Sequence, residues 1–208
     1  MLNSEFKLLN AFLRNPSNEL YGRQIERLTE TNHERAIAYL GKLVDSKVLF
    51  REKKGAQMFY RLNKQSDVVQ KALSVAEMEK RMKFVKKNKD GFIIYDLVSR
   101  VIKEFRPAVY FVILFGSVAR GHATESSDID VLFVLLRNGK VESSIREIIK
   151  ERANITGKEF SFHPVMLSEL KGKWLKEPIY KNIWDERIVF FGEENFWNFV
   201  LKEGDPHG

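Results

Sequence analysis

Two aspartates separated by one residue, Asp128 and Asp130, open the apolar run 131–136, and ten residues before them the apolar run 109–115 ends on Gly116-Ser117. Both runs are rich enough in aliphatic and β-branched residues to read as buried strands. On a strand, positions i and i+2 point to the same side, so both carboxylates converge on one face while Ile129 packs on the other. Two carboxylates this close repel each other, and divalent metal ions bridging them to a polyphosphate neutralise that charge. Gly116 fits the same chemistry, because a residue without Cβ lets backbone amides approach a phosphate. Ser117 adds a hydroxyl donor and Arg120 a charge-assisted contact.

The segment Leu114-Phe115-Gly116-Ser117 to Asp128-Ile129-Asp130-Val131 resembles the signature of the nucleotidyltransferase superfamily related to DNA polymerase β, most closely its minimal branch. The resemblance covers residues 91–192. It implies a mixed sheet flanked by helices, a nucleoside triphosphate bound with Mg²⁺, and transfer of a nucleoside monophosphate to an acceptor with release of pyrophosphate. By the same resemblance Gly116 and Ser117 hold the triphosphate, and Asp128 and Asp130 are the catalytic metal ligands. In the two-metal scheme one ion activates the attacking oxygen and the other stabilises the leaving group, roughly 3.5–4 Å away.

Active members of that superfamily usually carry a third carboxylate on a later strand, and the candidate strand here is 158–167. Alternation puts Glu159, Ser161 and His163 on one side and Phe160 and Phe162 on the other. The expected acidic position falls nearest His163, whose imidazole suits proton transfer, with Glu159 as the other candidate. A site with only two carboxylates could still bind a metal–nucleotide complex without turning it over.

The elements needed to position these groups follow from hydrophobic spacing. A helix is predicted from about residue 92 to 104, then the breaker Arg106-Pro107, then the two buried strands. The aromatic tail, with Tyr180, Ile183, Trp184, Val189, Phe190 and Phe191, is expected to cover the sheet.

The first third of the chain has a different character. Splitting after Lys64 leaves 12 Lys/Arg against 7 Asp/Glu before the cut and 23 against 21 after it, so most of the net +7 lies in the first segment. Phe6, Leu9 and Leu13 mark one short helix, Ile25 and Leu28 a second, and Ile37, Leu40, Leu43 and Val44 a third with Asn32 as N-cap. Residues 48–52 and 58–62 flank the turn Lys53-Lys54-Gly55-Ala56 and read as a hairpin.

Residues 1–64, through Tyr21-Gly22-Arg23-Gln24-Ile25-Glu26-Arg27-Leu28-Thr29, Tyr39-Leu40-Gly41-Lys42-Leu43-Val44 and Lys53-Lys54-Gly55, resemble prokaryotic winged-helix transcription regulators. That resemblance implies double-stranded DNA as partner. It places Arg23, Asn32, His33, Arg35, Ala36, Tyr39 and Lys42 on the reading helices and Lys53 and Lys54 on the wing.

Between these segments, residues 66–89 contain no glycine or proline, and Val68, Ala72, Val75 and Met82 share a helical face. A linking helix is expected, with a solvated basic face at Lys80, Arg81, Lys83, Lys86, Lys87 and Lys89, and an apolar stripe that would serve a homodimer. The fold class is therefore α+β. An N-terminal winged helix-turn-helix (1–64), a linking helix (65–90) and a C-terminal nucleotidyltransferase-like domain (91–208) are expected in order.

Composition narrows the partners. There is no cysteine, which excludes disulfides, zinc knuckles and a thiol nucleophile, and no apolar run approaches the roughly 20 residues that span a bilayer. The start Met1-Leu2-Asn3-Ser4-Glu5 lacks a secretory pattern, so a cytoplasmic protein is expected. The functional expectation is a DNA-binding regulator carrying a Mg–nucleotide site. The alternative is an enzyme that nucleotidylates a protein, small-molecule or nucleic-acid acceptor, including an antitoxin-like role.

Overall fold

A computed structural model of the chain describes residues 4–13, 15–137 and 139–207. Contacts divide it into two compact units, Met1–Ala76 with Trp197–Gly208, and Glu77–Phe196.

In the first unit a 3-10 helix (Phe6–Phe12) precedes β1 (Leu20–Tyr21), α1 (Gly22–Thr29), α2 (His33–Asp45), β2 (Leu49–Lys54) and β3 (Gln57–Leu62). The strands form an antiparallel sheet in the order β1-β3-β2, and Lys54 pairs with Gln57 across the hairpin turn. Gly55 has a φ of 62°, the left-handed conformation that a two-residue hairpin loop requires. Leu8, Leu9, Phe12, Ile25, Ala36, Leu40, Leu43 and Leu62 are buried.

Four apolar residues do not face inward as their spacing predicts. Leu28 is 61% exposed and Ile37 55%, because the inward face of α2 repeats at Ala36, Leu40 and Leu43, and Ile37 lies one residue further round the helix. The same offset operates at the start of α3 (Asp67–Lys87). Val69, Ala72, Leu73 and Ala76 form its buried stripe, while Val68 and Met82 are exposed.

The second unit holds α4 (Gly91–Phe105), β4 (Val109–Phe115), α5 (Gly116–Arg120), β5 (Ile129–Leu135), α6 (Lys140–Thr156), β6 (Phe160–Met166), α7 (Leu167–Lys173), α8 (Pro178–Glu186) and β7 (Ile188–Phe191). The helix α9 (Glu193–Glu203) starts in this unit and ends in the other. The four strands form a mixed sheet in the order β6-β5-β4-β7. Only β5 and β6 run parallel, and α6 supplies the crossover that a parallel pair needs. This is a mixed α+β unit with helices on its sheet, as the nucleotidyltransferase resemblance implies.

Register assigns the faces. Val112 and Leu114 of β4, with Ile129, Val131, Phe133 and Leu135 of β5, pack with Ile94, Leu97, Val98 and Val101 of α4 and Ile145 and Ile149 of α6. Alternation turns Ile113, Phe115, Asp130, Leu132 and His163 to the opposite face. The tail aromatics Tyr180, Trp184 and Phe190 are buried, as expected.

Arg81 corrects one expectation, because it is tied down rather than solvated, and Lys80, although exposed, is held at its amine. Lys80 Nζ donates to the Arg187 carbonyl at 2.5 Å. Arg81 Nη1 donates to the Phe190 carbonyl at 2.5 Å and pairs with Glu193 at 2.6 Å. Gly91 opens α4 against the Val85 backbone, where a Cβ would collide. Among the described residues no helix is long and apolar enough to cross a membrane.

Candidate functional site

The strand β4 is buried on both faces to its last residue, and Gly116 then turns the chain into α5 with a φ of 76°. L side chains rarely adopt that value, so glycine is required for the backbone alone. Space demands it as well, since a Cβ at Gly116 would collide with the Asp130 carboxylate. Because Phe115 pairs with Asp130 across the antiparallel ladder, the glycine-serine turn and the second aspartate meet at one end of the sheet. Asp128 lies two residues earlier, exposed, just ahead of the start of β5 at Ile129 rather than inside the strand. Ser117 is half-buried in the first turn of α5.

Glu186, which no sequence motif singled out, joins this cluster. It is the last residue of α8, and its Oε2 accepts the Gly116 amide at 2.8 Å. Its Oε1 pairs with the Arg120 guanidinium. Arg120 is thus close to the turn, as expected, but a carboxylate already engages it. The only signal in the sequence was an acidic residue ending a helix seventy positions downstream, which does not point to Gly116.

His163 and Glu159 separate in the structure. Leu132 of β5 pairs with His163 of β6, and His163 Nε2 stands 3.6 Å from Asp130 Oδ1. The imidazole also lies 5.2 Å from the Phe115 ring. Glu159 is exposed ahead of β6 and its carbonyl accepts the Ile129 amide. Phe160 and Phe162 turn to the opposite, core face, as the alternation predicts. Burial pushes the Asp130 carboxyl above the ordinary aspartate range, the charges of Asp128 and Glu186 add to that, and the neighbouring His163 opposes it. Among the described residues no three His, Asp or Glu side chains cluster closely enough to hold a metal ion unaided. Two carboxylates suit magnesium when substrate phosphates and water complete its oxygen shell, and Asp128 and Asp130 are the residues that would supply them.

In the first unit, α1 and α2 are joined by a tight turn. Glu30 adopts φ 52°, and Asn32 caps α2 by accepting the Arg35 amide at 3.0 Å. His33 Nδ1 lies 2.8 Å from Glu26 Oε1, tying the start of α2 back to α1. Arg23, His33, Ile37, Arg51, Met58 and Tyr60 line an open cleft of about 510 Å³ between these helices and the hairpin. Arg51 was not anticipated as part of this surface. Arg35, Lys42, Lys53 and Lys54 are exposed and Tyr39 is half-buried. Lys42 pairs with Glu5 at 3.5 Å, and Lys54 with Glu19. Ala36 is fully buried, so it reads no partner.

Residues 94–191 match the family model of the nucleotidyltransferase domain, a span that contains Gly116, Ser117, Asp128, Asp130, His163 and Glu186. No curated protein matches the chain.

Proposed function

We propose that the second unit binds a nucleoside triphosphate with Mg²⁺ and transfers its nucleoside monophosphate to an acceptor, and that the first unit is a winged helix-turn-helix that binds duplex DNA. The observation that carries the catalytic part is the contact between Asp130 and Gly116, which brings the two halves of the Gly-Ser and Asp-x-Asp pattern face to face. When bound, magnesium neutralises the polyphosphate and favours ionisation of the attacking oxygen. Asp128 and Asp130 hold it, while the Gly116 amide, the Ser117 hydroxyl and Arg120 hold phosphate oxygens. His163 stands beside Asp130 where the superfamily expects a carboxylate, and accepts the proton of the acceptor group there.

The DNA-binding part draws support from three features together: the order of α1, α2 and hairpin, the basic excess of residues 1–64, and the convergence of Arg23, His33 and Arg51 on one cleft. In this reading α2 enters the major groove by its N-terminal end, with His33 and Arg35 foremost, and Lys53 and Lys54 reach the phosphate backbone.

Incubating the full chain with labelled nucleoside triphosphates and Mg²⁺, with and without DNA and cell extract, tests both parts. Label transfer with pyrophosphate release in wild type but not in Asp128→Asn/Asp130→Asn is the expected outcome. Transfer that persists in the double variant rejects the assignment of the site. Duplex DNA binding that does not weaken with salt rejects the assignment of the first unit.

A further inference from the structure

We propose that Glu186 is a built-in competitor of the triphosphate, its carboxylate occupying the Gly116 amide and the Arg120 guanidinium until the side chain swings off them. This inference rests on the nucleotide-binding reading and adds its regulation. The Gly-Ser turn offers phosphate a backbone amide and a guanidinium, and one carboxylate takes both, the amide at 2.8 Å through Oε2 and Arg120 through Oε1. An amide carries one proton and makes one strong bond at a time, so a phosphate oxygen and Glu186 exclude each other there. Both Glu186 oxygens are directed at these two donors, so in this arrangement the carboxylate acts on the turn's phosphate-binding groups.

The next residue determines how release happens. The Arg187 side chain is 3% exposed, pairs with Glu77 at 3.1 Å, donates to the Trp184 carbonyl at 2.5 Å, and lies 3.6 Å from the centre of the Trp184 ring. That anchor holds the end of α8 in place, so Glu186 leaves by rotating its side chain and not by moving the helix. Arg120 is 44% exposed at its side chain and remains reachable by a ligand throughout.

Charge sets what can displace the carboxylate. Asp128, Asp130 and Glu186 surround the turn, so a singly charged anion gains little against a carboxylate already in place. A polyphosphate carrying its own divalent cation brings several charges and neutralises part of this repulsion. The device thus favours metal-bound triphosphates over free phosphate.

Binding of Mg²⁺-tripolyphosphate, a probe without a base, to the full chain by calorimetry tests this. Glu186→Gln and Glu186→Ala are expected to bind about tenfold more tightly than wild type, the gain that follows if the competitor occupies the donors about nine-tenths of the time. A purely structural role for Glu186 would weaken binding instead. Unchanged or weaker binding in both variants, with wild-type circular dichroism, overturns the competitor. If binding is lost in Asp128→Asn/Asp130→Asn while neither Glu186 variant gains, the site reading stands and only the competitor fails. No binding to wild type or either Glu186 variant overturns both.

Discussion

The Asp130 carboxylate occupies the space in which a β-carbon on Gly116 would lie, so the two residues touch only because one of them lacks a side chain. A turn glycine and a strand aspartate are thereby one structural unit. Substitution at either is felt at the other.

Gly116→Ala meets two penalties, the left-handed φ of 76° and the collision with Asp130. A loss of about 1–3 kcal/mol in stability is expected by chemical denaturation. The rise in melting temperature on adding Mg²⁺ with a nucleoside triphosphate should also disappear. An alanine variant as stable and as responsive as wild type would contradict the contact.

Asp130→Asn should raise the melting temperature near neutral pH in the absence of divalent ions. Burial holds this carboxyl above the ordinary value of 3.8, so the folded state favours the protonated form. The ionised group therefore costs stability in full above its folded pKa, and the cost fades as pH falls to the unfolded value. Melting curves in chelator at stepped pH should show the variant ahead at pH 7 and the gap closing in acid. A gap that widens in acid has the wrong sign.

Glu77→Ala removes the carboxylate that pairs with the Arg187 guanidinium, itself 3% exposed, from a site 1% exposed. Breaking such a buried pair typically costs about 3–5 kcal/mol. Urea unfolding gives the figure directly, and a loss below about 1 kcal/mol would mean the pair is not sealed from water.

Asn32 caps α2 and, on the proposed reading, also faces DNA, and two substitutions separate the two roles. Asn32→Ala removes the cap on the Arg35 amide and should cost about 1 kcal/mol. Asn32→Asp keeps the cap, so it should retain stability while weakening duplex binding by adding a negative charge at the start of α2. Gel-shift titration beside a thermal melt reads both.

On the proposed DNA-binding reading of the first unit, the two hairpin lysines should differ. Lys54 already pairs with Glu19 and lies 3.8 Å from Glu52, so part of its charge is spent within the protein. Lys53→Ala should reduce the slope of log affinity against log salt by about 1, and Lys54→Ala by less. Equal slopes for both variants and wild type would remove the hairpin from the interface.

Much of the second unit was legible locally. The runs ending at Phe115 and beginning at Ile129 are too apolar to lie anywhere but in a buried sheet, and the two-residue period of a strand put Ser161 and His163 on one side of β6, while its register with β5 brought Asp130 to that side. In the first unit the same reasoning found the helices and the hairpin but misjudged Leu28, Ile37 and Val68. A helix face is set by which neighbours it meets, and a single step of 100° separates a buried residue from an exposed one.

The sequence by itself determined the chemistry on offer: a glycine that can take a left-handed turn, two acidic groups at strand spacing, and no cysteine. These are properties of residue types and short-range periods, which no distant contact alters. Only the tertiary structure decided that Glu186, seventy residues beyond Gly116, closes onto its amide, that His163 and not Glu159 stands beside Asp130, and that Lys80 and Arg81 serve backbone carbonyls. Such relationships depend on how helices pack against a sheet, and packing is a sum over many long-range contacts with no period along the chain.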